Sequence, residues 1–378
     1  MGRDKKRGRD DTAQALQQAK ARASELTKLG NADDRVFLLL SLEFAPEFIE
    51  EHRGLLLAGA MKKAKKKKKT MTPAKQTEAQ PPKNELKLGK ERWLPRKMAG
   101  QALEAQVAAL AHWLVPTPRE AELRRQTVQR LREQLGLGEG ASLTVVGSFA
   151  HGLYLPNSDV DVVVENHPNA FQRVSRCIHK IGQRVKLIRH ARVPICKYED
   201  SKTGVAVDVC FDQRQGVQLN ALLDGVLAQF RHGEMLIKVV KFYLSGFPQL
   251  CDPACGGLGS YSVFCLAVSF LQHRDPSHAQ SASELLLAFL HFWGREFNSD
   301  ALGVSLLDGG SFFAKGGRGE DFHGPLALED PLDENNNVGR ATHRWADVRR
   351  LFAAAHAALS SGTSLVDLVA RTHMPRQL

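Results

Sequence analysis

Two acidic residues at the start of an apolar strand constrain this chain more than any other feature of its sequence. Asp159 and Asp161 are two residues apart, and Asp161 is followed by three valines. Side chains two apart in a β-strand point to the same face, so these two carboxylates must lie side by side. Like charges at this separation repel each other unless a cation lies between them. The sequence therefore predicts a metal site on one face of a sheet, and carboxylate oxygens favour Mg²⁺.

A third acid lies in another apolar segment, further along the chain. Asp208 stands between two valines inside a strand predicted at 205–211. If this strand pairs with the strand of Asp161, three carboxylates meet. Such a cluster can hold two Mg²⁺ or Mn²⁺ ions about 4 Å apart for in-line phosphoryl transfer. We therefore predict that Asp159, Asp161 and Asp208 are the catalytic and metal-binding residues.

A Gly-Ser pair precedes the acids at a spacing that suits a nucleotide site. Gly147 and Ser148 follow a predicted strand at 142–146 and precede a short predicted helix. Glycine lets the backbone approach a phosphate closely, and the nearby amides and hydroxyl can bind it. Alone, Gly-Ser indicates only a turn, and Asp-x-Asp alone is common on solvated strand edges. Their fixed spacing, with a third acid on another apolar strand, indicates triphosphate binding beside the metals.

The positive charge of the chain is concentrated at its N-terminal end. The first hundred residues hold 24 Lys and Arg against 13 Asp and Glu, and the whole chain carries a net charge of +11. The remainder is therefore neutral overall. Seven lysines lie between Lys62 and Lys69, and we predict a basic, largely disordered tail with short helices over residues 1–91. The lysine run fits RNA contact or nuclear import, and it also fits a merely solvated linker.

The pattern of apolar residues predicts an α+β fold for the rest of the chain. Helices are expected at 98–114, 119–135 and 169–181, strands at 142–146, 160–165 and 205–211, and almost entirely helical structure after residue 218. This order predicts a small α/β catalytic domain at 117–216. A helical domain made of 92–116 and 217–378 is expected to form a cleft with it. No apolar run is long enough to cross a membrane and no secretory signal is present, so we expect an intracellular protein without a membrane partner.

Taken together, the motifs resemble those of the DNA polymerase β-like nucleotidyltransferase superfamily. Within it, the chain is similar to the noncanonical poly(A) polymerases, which include the polymerase subunit of the TRAMP complex and the terminal uridylyltransferases. The resemblance covers residues 92–372. It rests on Gly-Leu-Tyr-Leu-Pro-x-Ser-Asp at 152–159, Val-Pro-Ile at 193–195, Gly-Gly-Leu-Gly-Ser-Tyr-Ser at 256–262, and Glu-Asp-Pro at 329–331 with Asn-Val-Gly-Arg at 337–340. It implies a polymerase β-like domain with a helical central domain, and template-independent addition of AMP from ATP to RNA 3′ ends.

The resemblance also implies roles for single residues. Asp159 and Asp161 would bind both metals, and Asp208 would hold the catalytic metal and help activate the RNA 3′-hydroxyl. The implied nucleotide-binding residues are Gly147, Ser148, Asn220, Lys241, Ser260, Tyr261, Asp330, Asp333 and Asn336. Among these, Ser148 and Lys241 would bind the triphosphate and Asn220 the ribose. Ser260 and Tyr261 would bind phosphate and stack on the base, and the last three would form a nucleotide-recognition loop.

Several of these residues also fit ordinary structural roles. Lys241 lies on an apolar helix, where a lysine usually extends its ammonium to water. Tyr261 also fits a core residue, and Asp330 fits a turn before a proline. Two positions depart from the family pattern: Asp212 stands where many relatives have Asn, and Ser245 where some have a second phosphate-binding lysine.

The partners implied by the resemblance are an RNA 3′ end, ATP, and, as in TRAMP, a zinc-knuckle RNA-binding protein and an RNA helicase. A nuclear location follows, in nucleoplasm or nucleolus, with the cytoplasm as the alternative. A terminal uridylyltransferase is the main competing function, and Asn336 disfavours it because relatives that choose UTP often carry His there. An inactive RNA-binding scaffold is disfavoured by the three intact acids. A tRNA CCA-adding enzyme is disfavoured by the Gly-Ser-Tyr-Ser motif.

Overall fold

A computed structural model of the chain describes residues 16–21, 101–190, 193–212, 214–274 and 281–373. One compact unit spans residues 82–369. The other comprises residues 1–81 and 370–378, of which residues 16–21 and 370–373 are described and are helical. Most of the predicted basic tail, with its lysine run, lies outside the described residues. The predicted domain boundaries at 91/92, 116/117 and 216/217 stay predictions.

Two helices precede the sheet, close to where the sequence predicts them. Helix α1 is Leu103–Leu114 and helix α2 is Pro118–Leu135. Helix α2 begins with a capping box, because the hydroxyl of Thr117 accepts from the Glu120 amide while the Glu120 carboxylate accepts from the Thr117 amide. It ends at Gly136, which has a left-handed backbone. Helix α2 therefore has well-defined ends and presents its apolar side to the sheet.

A five-stranded mixed sheet carries the predicted site. Its strands are β1 (Ser142–Val146), β2 (Val160–Glu165), β3 (Gly182–Ile188), β4 (Ile195–Asp200) and β5 (Ala206–Phe211). Their order across the sheet is β1-β2-β5-β4-β3. Strands β2 and β5 are parallel, and the other neighbours are antiparallel. The predicted strands at 142–146 and 160–165 match the structure, and the third begins one residue later than predicted.

The alternation of side chains in β2 and β5 separates the core from the acids. Val160, Val162 and Val164 are buried in a core that also contains residues of α2 and of helix α4 (Ala170–Ile181). Asp161 lies between these valines in sequence, so its side chain points to the opposite face. Helix α3 (Gly147–Ala150) is one short turn that follows β1 directly. The apolar core thus fixes the face on which the acids lie.

Strands β3 and β4 were not predicted from the sequence. They form a hairpin at one edge of the sheet, and a register shift lies between Gln183 and Lys186. At the bulge, Arg184 has a left-handed backbone with φ of 54°. Alternating exposed side chains make β3 polar, which is common for an edge strand because charge there opposes pairing with other chains. Polar edge strands lack the apolar pattern by which β1, β2 and β5 are predictable.

The expectation of an almost wholly helical segment after residue 218 was wrong in part. The helices are α5 (Arg214–Leu227), α6 (Gly233–Ser245), α7 (Pro248–Cys251), α8 (Ser260–Gln272), α9 (Ala282–His291), α10 (Trp345–Ser360) and α11 (Leu365–His373). Between α9 and α10 lie four short strands: β6 (Leu302–Ser305), β7 (Ser311–Ala314), β8 (Glu329–Asp330) and β9 (Asp333–Asn337). They pair locally as β6-β7 and β8-β9. Strand β9 consists of Asp, Glu and Asn, which have low β propensity, so composition did not indicate it. None of the described helices is both long enough and apolar enough to cross a membrane.

Candidate active site

The register of the sheet brings the three predicted acids together. Asp161 of β2 lies directly opposite Asp208 of β5, and Asp159 immediately precedes β2. One carboxylate oxygen from each residue lies within 4.8 Å of the others, and all three residues are half-buried. The predicted pairing of the two acid-bearing strands is therefore confirmed.

The electrostatics of this cluster fit a bound cation. Burial, together with the negative charges of Asp159 and Asp208, raises the pKa of Asp161 to about 7. Burial also raises the pKa of Asp208, against the effect of a hydrogen bond from Lys197. The carboxylates thus resist ionising together unless positive charge is added. Hard oxygen ligands with excess negative charge suit Mg²⁺ or Mn²⁺, so the residues present fit a divalent ion.

Replacing Asp161 by asparagine is expected to stabilise the metal-free protein, and more so at high pH. Because the folded-state pKa of Asp161 is raised, its favourable contribution is complete below the ordinary carboxyl pKa and is lost as pH rises through about 7. Asparagine keeps the shape without the charge. We expect melting temperatures measured with a chelator to rise by a few degrees at about pH 8 and by less at about pH 5. An equal gain at both pH values would contradict a charged, uncompensated Asp161.

Lys197 is a member of the site that the sequence did not reveal. It lies on β4 directly opposite Asp208, and its ammonium donates to Oδ2 of that carboxylate. The ammonium of Lys197 therefore places one positive charge next to the acids in the absence of a metal ion. Finding it requires the register of an edge hairpin, and that hairpin was not predicted.

The backbone of Gly147 lies so close to Asp161 that this position requires a glycine. It has φ of +68°, a backbone that L side chains rarely adopt. A Cβ at this position would lie 2.5 Å from Oδ2 of Asp161. Only glycine lets the turn from β1 into α3 pass this close to the Asp161 carboxylate. Ser148 follows at once and is half-buried beside the cluster.

A buried arginine orders the loop that leads into β2. Arg124 of α2 is fully buried and donates to the carbonyl oxygens of Pro156 and Ser158, at 3.0 and 2.8 Å. Its guanidinium also lies over the ring of Tyr154, 4.6 Å from the ring centre. These contacts hold the segment directly before Asp159. In the sequence Arg124 looks like any charged residue on the outer side of an amphipathic helix, so it was missed.

Lys241 is buried and faces the acids. Its Nζ donates to the carbonyl oxygen of Leu153 at 2.9 Å, and only 7% of the residue is exposed. Burial lowers its pKa to about 8, although the charges of Asp159 and Asp161 act in the opposite direction. The alternative in which this lysine extends to bulk water is therefore wrong. Its ammonium is positioned to attract an anion into the cleft.

A cleft of about 200 Å³ contains most of the predicted site. Its walls include Ser148, Asp159, Asp161, Lys241, Ser260 and Tyr261, together with Gly147. A second cavity of about 270 Å³ shares Asp159, Lys241 and Ser260 and extends to Ser245 and Cys251. The two cavities therefore adjoin each other at Asp159, Lys241 and Ser260.

The predicted nucleotide-recognition residues form a hydrogen-bonded group at one end of α8. Tyr261 donates through its hydroxyl to Oδ1 of Asp330 at 3.3 Å, and Nδ2 of Asn336 donates to Oδ2 at 2.8 Å. Asp333 pairs with Asp330 across β8 and β9, and its carboxylate accepts from the Asn335 amide. Asp330 thus connects the ring of Tyr261 to the amide of Asn336.

Asn220 has contacts that were not anticipated. Its Nδ2 donates to the carbonyl oxygen of Val145 at 3.0 Å, and its Oδ1 lies 2.9 Å from Nε2 of His151. This side chain is therefore tied to β1 and to a histidine on the cleft wall.

The structure shows the surroundings of both residues that depart from the family pattern. Asp212 is exposed and follows β5, and its carboxylate accepts from the amide of Asn166 at 3.1 Å. Asn166 follows the end of β2, whereas Asp161 lies near the start of the same strand. The Asp212 carboxylate therefore faces away from the acid cluster. Ser245 lines the second cavity and its hydroxyl donates to the Phe242 carbonyl oxygen.

Comparison with known proteins agrees with this geometry. The family model "Poly(A) RNA polymerase, mitochondrial-like, central palm domain" matches residues 103–226, and "Cid1 family poly A polymerase" matches residues 281–336. Poly(A) RNA polymerase cid14 of Schizosaccharomyces pombe is 31% identical over 268 residues, covering 66% of this chain and 39% of that protein. This chain belongs to the noncanonical poly(A) polymerase family. Poly(A) RNA polymerase protein 2 of Saccharomyces cerevisiae is 30% identical, over 67% of this chain and 47% of that protein.

Solved structures of this family share the fold. The polymerase core of TRAMP, an RNA surveillance complex, superposes with a TM-score of 0.62 at 28% identity, covering 71% of this chain and 88% of that one. The Cid1 poly(U) polymerase also gives 0.62, at 21% identity, covering 70% and 95%. The polymerase β-like α+β fold is thereby confirmed. The chain spans less than half the length of the two curated relatives described above. A Drosophila melanogaster relative, 29% identical, is named as inactive.

Proposed function

We propose that this protein adds AMP from ATP to RNA 3′ ends without a template. The observation that carries the proposal is the register of Asp161 against Asp208, with Asp159 beside them, in a cleft that also contains Ser148 and Lys241. Three converging carboxylates with a buried lysine and a Gly-Ser turn suit nucleotidyl transfer, because that reaction needs positioning and charge neutralisation around a triphosphate.

Each residue has a physical task in this proposal. Two Mg²⁺ or Mn²⁺ ions, held by Asp159, Asp161 and Asp208, would supply charge neutralisation at the phosphate and a more acidic 3′-hydroxyl. The Lys241 ammonium and the Ser148 and Ser260 hydroxyls would donate to the triphosphate. The Tyr261 ring would stack on the base, held by its hydrogen bond to Asp330.

The test is primer extension with a labelled oligo(A) RNA. Each of the four nucleoside triphosphates is supplied separately, with Mg²⁺ or Mn²⁺. The proposal requires extension by ATP that depends on the divalent ion. Extension mainly by UTP would identify a terminal uridylyltransferase, and no extension under any condition, despite RNA binding, would identify an inactive scaffold.

We expect ATP to be preferred over UTP because of the orientation of Asn336. Its amide nitrogen donates to Asp330, so its carbonyl oxygen faces away and can accept from the exocyclic amino group of adenine. Uracil has an oxygen at the equivalent edge. We expect Asn336→His to lower the ATP:UTP ratio of kcat/KM by roughly tenfold, the effect of about one hydrogen bond. An unchanged ratio would mean that Asn336 does not read the base.

We also propose a nuclear location and a role in RNA processing, with a zinc-knuckle RNA-binding protein and a helicase as partners. The support is the similarity to the TRAMP polymerase core and the lysine run at 62–69. A fluorescent fusion of the full chain is expected in the nucleus, and substituting these lysines by glutamine is expected to shift it to the cytoplasm. An unchanged nuclear signal in the substituted protein would show that the lysine run does not direct nuclear import.

A further inference from the structure

Arg124 is a fully buried cation that lies behind the loop leading to Asp159. Its Nη2 donates to three carbonyl oxygens of that loop, those of Leu155, Pro156 and Ser158, at 3.3, 3.0 and 2.8 Å. Within the described residues, its hydrogen bonds all go to main-chain carbonyl oxygens and its Nε makes none. Burying a guanidinium without a bonded carboxylate costs free energy, because the charge loses its water. Arg124 therefore needs an explanation other than the stability of the fold.

The loop that Arg124 holds forms a wall of both cavities. Ser158 and Asp159 line the cleft and the second cavity, and Leu155 also lines the second. The amide of Ser158 donates to the Leu155 carbonyl oxygen, and the hydroxyl of Ser158 accepts from the Leu155 amide, both at 2.9 Å. A tight turn thus closes directly before Asp159. Because Asp159 follows this turn at once, the turn determines where its carboxylate lies relative to the other two acids.

Arg124 also supports the Gly-Ser turn, through a pair of aromatic rings. Its guanidinium lies 4.6 Å from the centre of the Tyr154 ring. That ring packs edge-on against Phe149, with the ring centres 5.1 Å apart. Phe149 belongs to helix α3 and directly follows Ser148. One buried side chain thus contacts the loop before Asp159 directly and the Gly-Ser turn through two rings.

We propose that Arg124 is a positioning residue, which holds Asp159 where it can share divalent ions with Asp161 and Asp208. Carboxylates that bind a metal depend on the contacts that orient them, and loss of such a contact typically lowers metal affinity by roughly 10–100-fold. The inference rests on the proposed function in that it assumes divalent ions at the three acids. It requires no assumption about which nucleotide or RNA is bound.

The charge of Arg124 and its bonds to the loop have opposite effects on metal binding, so the two can be separated. The guanidinium interacts electrostatically with Asp159 and repels a cation there, so removing the charge alone would tighten metal binding. Losing the bonds would let Asp159 move and would weaken metal binding. A lysine keeps the charge but lacks the planar set of donors that a guanidinium has. Weaker metal binding in Arg124→Lys therefore reports on position and not on charge.

The test measures Mn²⁺ binding to the full chain by electron paramagnetic resonance, with and without a non-hydrolysable ATP analogue. Arg124→Lys is compared with Arg130→Lys, its matched control. Arg130 lies on the same helix and pairs at 3.0 Å with the buried carboxylate of Asp200, and neither residue lines the two cavities. Melting temperatures are measured for each variant, because both substitutions disturb a buried contact.

We expect Arg124→Lys to weaken Mn²⁺ binding about tenfold, and to raise the Mn²⁺ concentration for half-maximal primer extension by a similar factor. We expect Arg130→Lys to lower the melting temperature without changing either quantity. Arg124→Gln, which buries no charge, takes the place of a lysine variant that does not fold. We expect it to bind Mn²⁺ more weakly than wild type, although its charge is gone.

A folded Arg124→Lys protein with the wild-type Mn²⁺ affinity overturns the inference, as does an equal loss of affinity in Arg130→Lys or tighter binding by Arg124→Gln. These results leave the proposed function intact if the wild type still extends RNA with ATP. Conversely, Arg124-dependent Mn²⁺ binding by a wild type that never extends RNA supports the inference and overturns the function. A wild type that binds no Mn²⁺ under either condition refutes the metal assignment on which both depend.

Discussion

Replacing Asp159 and Asp161 together by alanine is expected to reduce nucleotide addition by at least about 10³-fold. Metal ions supply several kcal/mol of stabilisation to a phosphoryl-transfer transition state, and each 1.36 kcal/mol corresponds to tenfold in rate. The two acids are two of the three carboxylates that converge within 4.8 Å, and the remaining one, Asp208, already bonds to Lys197. The double variant therefore retains no metal-binding cluster here.

The measurement is single-turnover primer extension with ATP, together with a melting curve. We expect the metal-free melting temperature to stay level or rise, because repulsion between the acids is removed. Asp212→Asn is the matched control, since it removes an exposed acid that faces away from the cluster and asparagine tolerates its φ of 51°. Extension by the double variant at a rate near that of wild type would refute the metal assignment.

Replacing Gly147 by alanine is expected to lower the rate of nucleotide addition by roughly 10²-fold, although no acid is removed. The new Cβ would lie 2.5 Å from Oδ2 of Asp161, so either the turn or the carboxylate must shift. A displacement of about 1 Å at a catalytic group can cost about 10²-fold in rate. The positive φ adds a stability cost of about 1–2 kcal/mol.

Gly204→Ala separates the two consequences of this substitution. Gly204 has φ of +70°, nearly that of Gly147, but a Cβ there meets nothing within 4 Å. We expect both variants to melt at similarly reduced temperatures, while only Gly147→Ala loses activity. Equal loss of activity in both would show that backbone strain, and not the approach to Asp161, accounts for the effect.

The amino-acid sequence was sufficient to predict the central acids and the strands that carry them. Val160, Val162 and Val164 lie at every second position with Asp161 between the first two, so the period of two of a strand places Asp161 on the face opposite to these valines. Helix α2 was predictable for a similar reason, because a proline at its first position and a regular apolar spacing are local signals. Such features depend on neighbours in sequence, which is why pattern alone determined them.

Only the tertiary structure decided the residues that surround the acids. Lys197 reaches Asp208 through the register of a polar edge hairpin, and Arg124 holds a loop that follows it by about thirty residues. The pairs His151–Asn220 and Tyr261–Asp330 are each separated by 69 residues. A hydrogen bond between segments that are distant in sequence depends on how the helices and strands pack. The sequence pattern around a single polar residue does not indicate which distant residue it will bond to. The sequence by itself therefore determined which strands carry the acids and the face on which they lie, whereas packing selected the lysine, arginine, histidine and amide groups around them.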